Sequence, residues 1–368
     1  MSQKLFESWR AGALTMAHRV VLAPLTRMRA EQPGNVPGPL MVEYYRQRAS
    51  QGGLLISEGS PISDVGRGMP ATPGISTPAQ IAGWQKITQT VHDAGGLIVV
   101  QLWHVGRMSH SSLQPGHVLP VAPSAIAAQG SAQTANGTPA PFETPHALTP
   151  DEITATVRDY AQATRNARQA GFDGVEIHGA NGYLIEQFLQ SRTNQRTDGY
   201  GGSIENRARF ALEVTRAVID AWSADRVGIR LSPFGIANDS GEADPMPLYT
   251  HVIEQLAPLG LAYLHLIEPR ASGAGKAEVD YADKPSAAKL FRPLWPGALI
   301  TAGNFKSDTA EAFVQSGFAD AIAFGRYFIS NPDLPARIRQ GAPWTPYDRS
   351  TFYSGGAKGY TDYPPFSQ

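Results

Sequence analysis

Short runs of aliphatic and β-branched residues recur along the chain, and the stretches between them carry helical periodicity. Eight such runs stand out, at residues 19–22, 54–58, 97–103, 174–178, 227–232, 263–268, 298–302 and 320–325. They are near-continuously apolar rather than alternating, which suits strands covered on both faces of a parallel sheet. Several of the stretches between them open with helix-start signals. Thr77-Pro78-Ala79-Gln80 and Thr149-Pro150-Asp151-Glu152 each place Thr at the N-cap, Pro at the first helical position and Gln or Glu at the third. There the hydroxyl and the third side chain satisfy orphaned amides reciprocally. Asn331-Pro332-Asp333 predicts a late helix start of the same kind without the reciprocal pair. Gly95-Gly96, Gly171 and Gly317 precede strands, where a helix C-cap favours positive φ.

Eight βα units predict a (β/α)8 TIM barrel rather than a doubly wound sheet. A doubly wound fold places a glycine fingerprint after its first strand, whereas the turn here reads Ala23-Pro24-Leu25-Thr26-Arg27. One stretch breaks the alternation. Residues 107–146 are rich in Ser, Pro, Ala, Gln and Gly and have no helical period. They predict a capping excursion after strand three, over the barrel mouth, within a single domain spanning 1–368. An insertion without function is the other reading.

Composition narrows the chemistry. The 368 residues include 37 Gly and 29 Pro, above the usual combined share of about 12%, so the chain needs many turns. There is no Cys, which removes disulfides, thiolate nucleophiles and Cys-rich metal sites together. Lys plus Arg number 31 against 32 Asp plus Glu, leaving no basic field for nucleic acid or anionic lipid. The polar N-terminus and the strand-sized apolar runs point to a cytoplasmic protein without membrane partners, monomer or homodimer.

In a barrel the chemistry belongs at the C-terminal ends of the strands. The polar residues there are Thr26, Glu58, Gln101, His104, His178, Arg230 and Glu268, with Arg326 just after strand eight. Gln101 alone reads as a satisfied core amide. Arg230 lies inside a strand, where a guanidinium must find an anion or several acceptors; an ordinary ion pair would serve equally. Gly303 and Gly325 end strands seven and eight, where glycines let backbone amides approach a phosphate and Arg326 would add a charge-assisted bond. His178-Gly179-Ala180-Asn181-Gly182-Tyr183 leads into a helix. Its His and Asn can converge on one acceptor oxygen with a tyrosine nearby to deliver a proton, or the turn is structural.

Other chemistries fare less well. No Lys falls in a strand run, against a Schiff-base aldolase. His104, His110 and His117 are spaced too loosely for a helical zinc pair, so no metal is expected. A glycoside hydrolase built on Glu58, Glu176 and Glu268 has the required carboxylates, but leaves Arg230, the two glycines and the His-Asn-Tyr turn unused.

Five collinear motifs resemble those of the Old Yellow Enzyme family of FMN-dependent ene-reductases, and within it the bacterial N-ethylmaleimide and pentaerythritol tetranitrate reductases. They are Leu22-Ala23-Pro24-Leu25-Thr26-Arg27, Glu43-Tyr44-Tyr45-Arg46-Gln47-Arg48-Ala49, Val100-Gln101-Leu102-Trp103-His104, the run from Asn194 through Asp198-Gly199-Tyr200-Gly201-Gly202-Ser203-Ile204-Glu205-Asn206-Arg207, and Gly359-Tyr360-Thr361-Asp362-Tyr363-Pro364. They span nearly the whole chain, and the D-x-Y-G-G-S-x-E-N-R run is highly specific.

The resemblance implies a tightly bound, non-covalent FMN. Thr26 would contact the flavin O4, Gln101 and Arg230 would hold the pyrimidine edge, and Pro24, Leu25 and Gly59 would flank the ring. Gly303, Asn304, Gly325 and Arg326 would take the phosphate. It implies a ping-pong reaction in which NADPH or NADH reduces flavin N5, which then passes hydride to an activated alkene: an α,β-unsaturated carbonyl, a maleimide or a nitroalkene. His178 and Asn181 would bind the electron-withdrawing group, and Tyr183 would protonate the other carbon. Trp103 and Tyr353 would wall the substrate pocket. Met69 stands where relatives have a tyrosine, which makes that wall more apolar and adaptable. A flavin-binding protein without catalytic function is the third reading.

Overall fold

The computed structural model describes residues 3–269 and 285–366. Eight parallel strands close into a barrel in chain order: β1 (Val20–Leu22), β2 (Leu54–Pro61), β3 (Leu97–Trp103), β4 (Gly174–Gly179), β5 (Val227–Leu231), β6 (Tyr263–Ile267), β7 (Ala298–Ala302) and β8 (Ala321–Phe324), which pairs back onto β1. These are the eight runs expected from the sequence. Several ends shift by one residue. Strand β2 runs on to Pro61 across a register irregularity between Ile56 and Gly59, where the Ser57 hydroxyl accepts the Gln101 amide at 3.2 Å.

Around the barrel lie α1 (Pro39–Arg48), α2 (Pro78–Asp93), α3 (Pro150–Gln169), α4 (Leu184–Leu189), α5 (Ile204–Ala221), α6 (Pro245–Leu256), α7 (Ala287–Phe291), α8 (Ser307–Gln315), α9 (Arg326–Ser330) and α10 (Leu334–Gln340). Thr77 and Thr149 form the reciprocal caps that their motifs predict. Asn331 is not the N-cap of the late helix: it is the C-cap of α9, and α10 starts at Leu334 with Asp333 as N-cap. The Asn331 amide donates to the Tyr327 and Thr345 carbonyls at 2.8 and 3.1 Å, and this bonding takes the place of an N-cap. No helix among the described residues is long and apolar enough to cross a membrane.

Two apolar layers position the site. One joins the outward side chains of the strands to the helices, from Leu5 to Tyr360. The other fills the barrel floor. There a hairpin of Trp9–Ala11 against Leu14–Met16 packs with Val21, Ile56, Val99, Tyr263 and Ile300. With the N-terminal end plugged, an opening is left at the C-terminal ends of the strands.

Residues 107–146 do form an excursion, carrying two small sheets. Its Met108 and Ala128 pack with Trp103 and Val105, against which Met69, Phe142 and Tyr183 also lie. It buttresses one side of the mouth, and none of its residues lines the cavity described below. The motif at 43–49 lies on α1 and its junction, where Tyr44 stacks on Tyr360 of the 359–364 motif at 4.2 Å and 5°. In the 198–207 motif Ser203 caps α5, while Arg207 donates to the Leu189 carbonyl and pairs with Glu242 at 3.0 Å. The most distinctive motifs of the sequence therefore build scaffold.

Candidate active site

A cavity of about 350 Å³ opens at the C-terminal end of the barrel. Of the residues singled out in the sequence, Pro24, Leu25, Thr26, Met69, Gln101, Trp103, His178, Asn181, Tyr183, Arg230, Gly303, Asn304, Gly325, Arg326 and Tyr353 all line it. Gly59 does not. A Cβ on Gly59 would lie 2.9 Å from the Trp103 ring, so that indole leaves no room for a side chain there. Gly303 is constrained by a neighbour as well as by the cavity, because a Cβ there would meet the Glu268 Cβ at 2.4 Å.

One wall pairs a donor with an acceptor. Arg230 on β5 is buried, and its Nε has no protein partner. Leaving a buried guanidinium N–H unmade costs a few kcal/mol, so the side chain is arranged for something outside the fold. Next to it, Glu176 on β4 is wholly buried and accepts from the Gln101 amide at 2.8 Å. That bond orients the Gln101 carboxamide and leaves its oxygen as an acceptor. Glu176 also contacts His265 Nδ1 at 2.8 Å. Burial works to raise the Glu176 carboxyl, but His265, Arg230 and Gln101 together hold it below the usual carboxylate range. A cation beside a carboxamide oxygen suits the N–C=O edge of a flavin pyrimidine ring, and Asn304, Gly325 and Arg326 supply polar groups elsewhere in the same cavity. The residues present therefore fit FMN.

The opposite chemistry gathers at the turn after β4. The Ala180 amide points to His178 Nδ1 at 3.4 Å, which assigns the ring proton to Nε2. Burial, together with Arg230 and His265, drives the His178 pKa well below its ordinary value, so the ring is a neutral donor. Tyr183 meets His178 edge-on at 5.1 Å and Trp103 edge-on at 4.9 Å. Burial raises the Tyr183 phenol to about 12 against the pull of an Asn238 hydrogen bond, so it keeps its proton at neutral pH. Asn181, with φ of +59°, sits between them in sequence and lines the cavity.

The sequence reading missed the loop after β5. Phe234, Ile236 and Asn238 line the cavity, and the Asn238 amide donates to the Asn181 carbonyl at 2.9 Å. The next residue, Asp239, pairs with Arg192 at 2.5 Å and with buried Arg107 of the excursion at 3.3 Å. Nothing in the sequence marks Arg107 as buried, so no local pattern announces this pair.

The carboxylates of the glycosidase reading serve separate structural ends. Glu58 accepts the Arg27 amide at 3.1 Å and lies outside the cavity. Glu176 is locked as described. Glu268 does line the cavity, but it accepts the Ala287 and Ala288 amides at 3.0 and 3.1 Å and the Thr301 hydroxyl at 2.9 Å.

Comparison with known proteins agrees with this geometry. The NADH:flavin oxidoreductase / NADH oxidase family matches residues 4–344. Flavin oxidoreductase hxnT of Emericella nidulans is 48% identical, over 98% of this chain and 97% of its own. Putative 12-oxophytodienoate reductase 11 of Oryza sativa subsp. japonica is 46% identical, over 98% and 97%. Among solved structures, morphinone reductase in complex with tetrahydroNAD superposes with a TM-score of 0.91 at 47% identity, covering 99% of this chain and 98% of its own. The Old Yellow Enzyme homologue from Zymomonas mobilis gives 0.92 at 44% identity, covering 98% and 99%. The chain belongs to the NADH:flavin oxidoreductase / NADH oxidase family and is an FMN-dependent, nicotinamide-nucleotide-using oxidoreductase on an Old Yellow Enzyme-type TIM barrel.

Proposed function

We propose that the enzyme reduces activated C=C bonds of α,β-unsaturated carbonyls, maleimides and nitroalkenes, alternating with NADPH or NADH at one shared site. The observation that carries this is the turn after β4. It presents a neutral imidazole donor, a carboxamide and a protonated phenol to the same cavity that holds Arg230. Relatives named as reductases of 12-oxophytodienoate and of morphinone support the choice of substrate class.

When bound, FMN supplies the redox chemistry, carrying a hydride from the nicotinamide to the alkene β-carbon. Gln101 and Arg230 would hold its pyrimidine edge and Thr26 its O4, with Pro24 and Leu25 along the ring. Gly303, Asn304, Gly325 and Arg326 would hold its phosphate. Arg230 places a fixed cation where negative charge develops on reduction. His178 Nε2–H and the Asn181 amide bind the substrate oxygen and stabilise its enolate-like charge, each good donor lowering the barrier by about 3 kcal/mol. Tyr183 gives its proton to the α-carbon. With its phenol at about 12, it transfers that proton only once the carbon has become strongly basic. Trp103, Met69 and Tyr353 shape the pocket.

Purified protein loaded with FMN should be bleached by NADPH or NADH under anaerobic conditions and recoloured by 2-cyclohexenone, N-ethylmaleimide or a nitroalkene. Bleaching without recolouring by any of the three would overturn the alkene assignment and favour a flavoprotein of other function.

A further inference from the structure

The turn that carries Asn181 is held from behind by a buried acid that lies outside the cavity. Asn181 and Gly182 adopt successive left-handed conformations, with φ of +59° and +74°. Asn and Gly tolerate this region without selecting it, so their neighbours decide which turn forms. A Cβ on Gly182 would lie 2.6 Å from the Ala237 carbonyl oxygen, so the loop after β5 presses on the turn from outside. From inside, Glu186 on α4, wholly buried, accepts the Gly182 amide on Oε2 at 2.5 Å. Its Oε1 accepts the Ser232 hydroxyl at 2.7 Å and the Tyr249 hydroxyl at 2.6 Å. Ser232 Oγ in turn accepts the Asn181 amide at 2.8 Å. Both amides of the left-handed pair thus end on one carboxyl group, Gly182 directly and Asn181 through a hydroxyl. A hydrophobic residue of similar size would avoid the desolvation cost of burying an acid in α4, but would leave those donors unmatched.

We infer that Glu186 is a positioning residue for substrate recognition: through Ser232 and the Gly182 amide it sets the Asn181–Gly182 turn and so aims the Asn181 carboxamide at the substrate oxygen. The inference rests on Asn181 being a substrate anchor, as proposed above.

A double-mutant cycle on the FMN-loaded enzyme tests it. Binding of 2-cyclohexenone to the oxidised form is read from the perturbation of the flavin spectrum, with flavin content and melting temperature measured alongside. Glu186→Gln keeps the side-chain length but, whichever way the carboxamide turns, puts an NH2 group where either the Gly182 N–H or the Ser232 and Tyr249 hydroxyls now find an accepting oxygen. It should weaken enone binding about tenfold, the worth of one misplaced hydrogen bond, with full flavin content. Asn181→Ala should cost a similar factor. The double variant should bind no more weakly than Asn181→Ala alone, because Glu186 acts only through that side chain. Ser232→Ala, which leaves the other Glu186 bonds intact, should show the same non-additivity and carries the test if Glu186→Gln does not fold. Unchanged enone binding in Glu186→Gln, or additive losses in the double variant, would overturn the positioning role alone. Unchanged binding in Asn181→Ala would overturn the anchor reading and this inference with it.

Discussion

Tyr183→Phe removes a single hydroxyl and retains the ring that packs edge-on against Trp103 and His178 at 4.9 and 5.1 Å. The structural loss is one hydrogen bond to Asn238 at the cavity rim, about 1 kcal/mol of stability. The chemical loss is larger. A positioned general acid contributes about 10²- to 10⁴-fold, or roughly 3–5 kcal/mol of barrier. The two half-reactions should therefore separate. Followed by anaerobic stopped-flow at the flavin absorbance, reduction by NADPH should change by no more than about twofold, since that half requires no phenolic proton. Reoxidation by 2-cyclohexenone should slow by at least about a hundredfold. Equal slowing in both halves would show that the ring's placement matters rather than its proton, and would remove Tyr183 as the acid.

Three further outcomes follow from the geometry. Arg230→Met should weaken FMN binding about ten- to a hundredfold, the worth of a bond to a charged group, and lower the flavin potential; unchanged values in an FMN titration and a redox titration would remove Arg230 from the cofactor site. Met69→Tyr should make the wall beside Trp103 stiffer and more polar, shifting kcat/KM between a bulky and a small enone by about tenfold; an unchanged ratio would show that Met69 does not shape the pocket. The third concerns stability against acid. Burial lowers His18 to about 4, His104 to about 3, and His178 and His265 below their ordinary value, so unfolding takes up protons once pH falls below 6.5. Burial raises Glu58 and Glu186 to about 7, which opposes this between pH 4.5 and 7 by favouring the folded state as they protonate. His18, His104 and His178 lie low enough for the histidines to outweigh the two acids, so stability should fall as pH drops from 6 to 4.5. Denaturant unfolding that is flat or rises toward acid in that window would contradict the burial of these groups.

The barrel was legible because its signals are local. Eight apolar runs, two Thr-Pro caps and glycines at +73°, +83° and +76° each need only neighbouring residues to be read. Gln101, His178 and Arg230 stand in β3, β4 and β5, and Gly303 and Gly325 directly follow β7 and β8, so their place could be read from the strand ends, whereas Met69 and Tyr353 came only through the motif resemblance. What escaped depends on partners far apart in sequence. Asp239 meets Arg107 across 132 residues, and Glu186 reaches Tyr249 and Ser232 across 63 and 46; no local pattern marks such pairs. Asn331 misled because it ends α9 instead of opening α10, its amide bonding back to Tyr327 and across to Thr345. Gly59 carries a constraint that no local pattern shows, since a Cβ there would meet the Trp103 ring.

The Arg107–Asp239–Arg192 contact has a consequence for how the pocket can be altered. The excursion after β3 and the loop after β5 enter from different strands, yet one aspartate joins them, and the Arg107 side chain is only 2% exposed. The two segments behave as a single interchangeable part. A graft that brings a β5 loop without an aspartate at this place would leave the buried Arg107 with only the Ile126 and Ala127 carbonyls and no counter-charge, a penalty of several kcal/mol, whereas moving both segments together carries the counter-charge along. Redesign of substrate range should therefore cut the chain at four points rather than two.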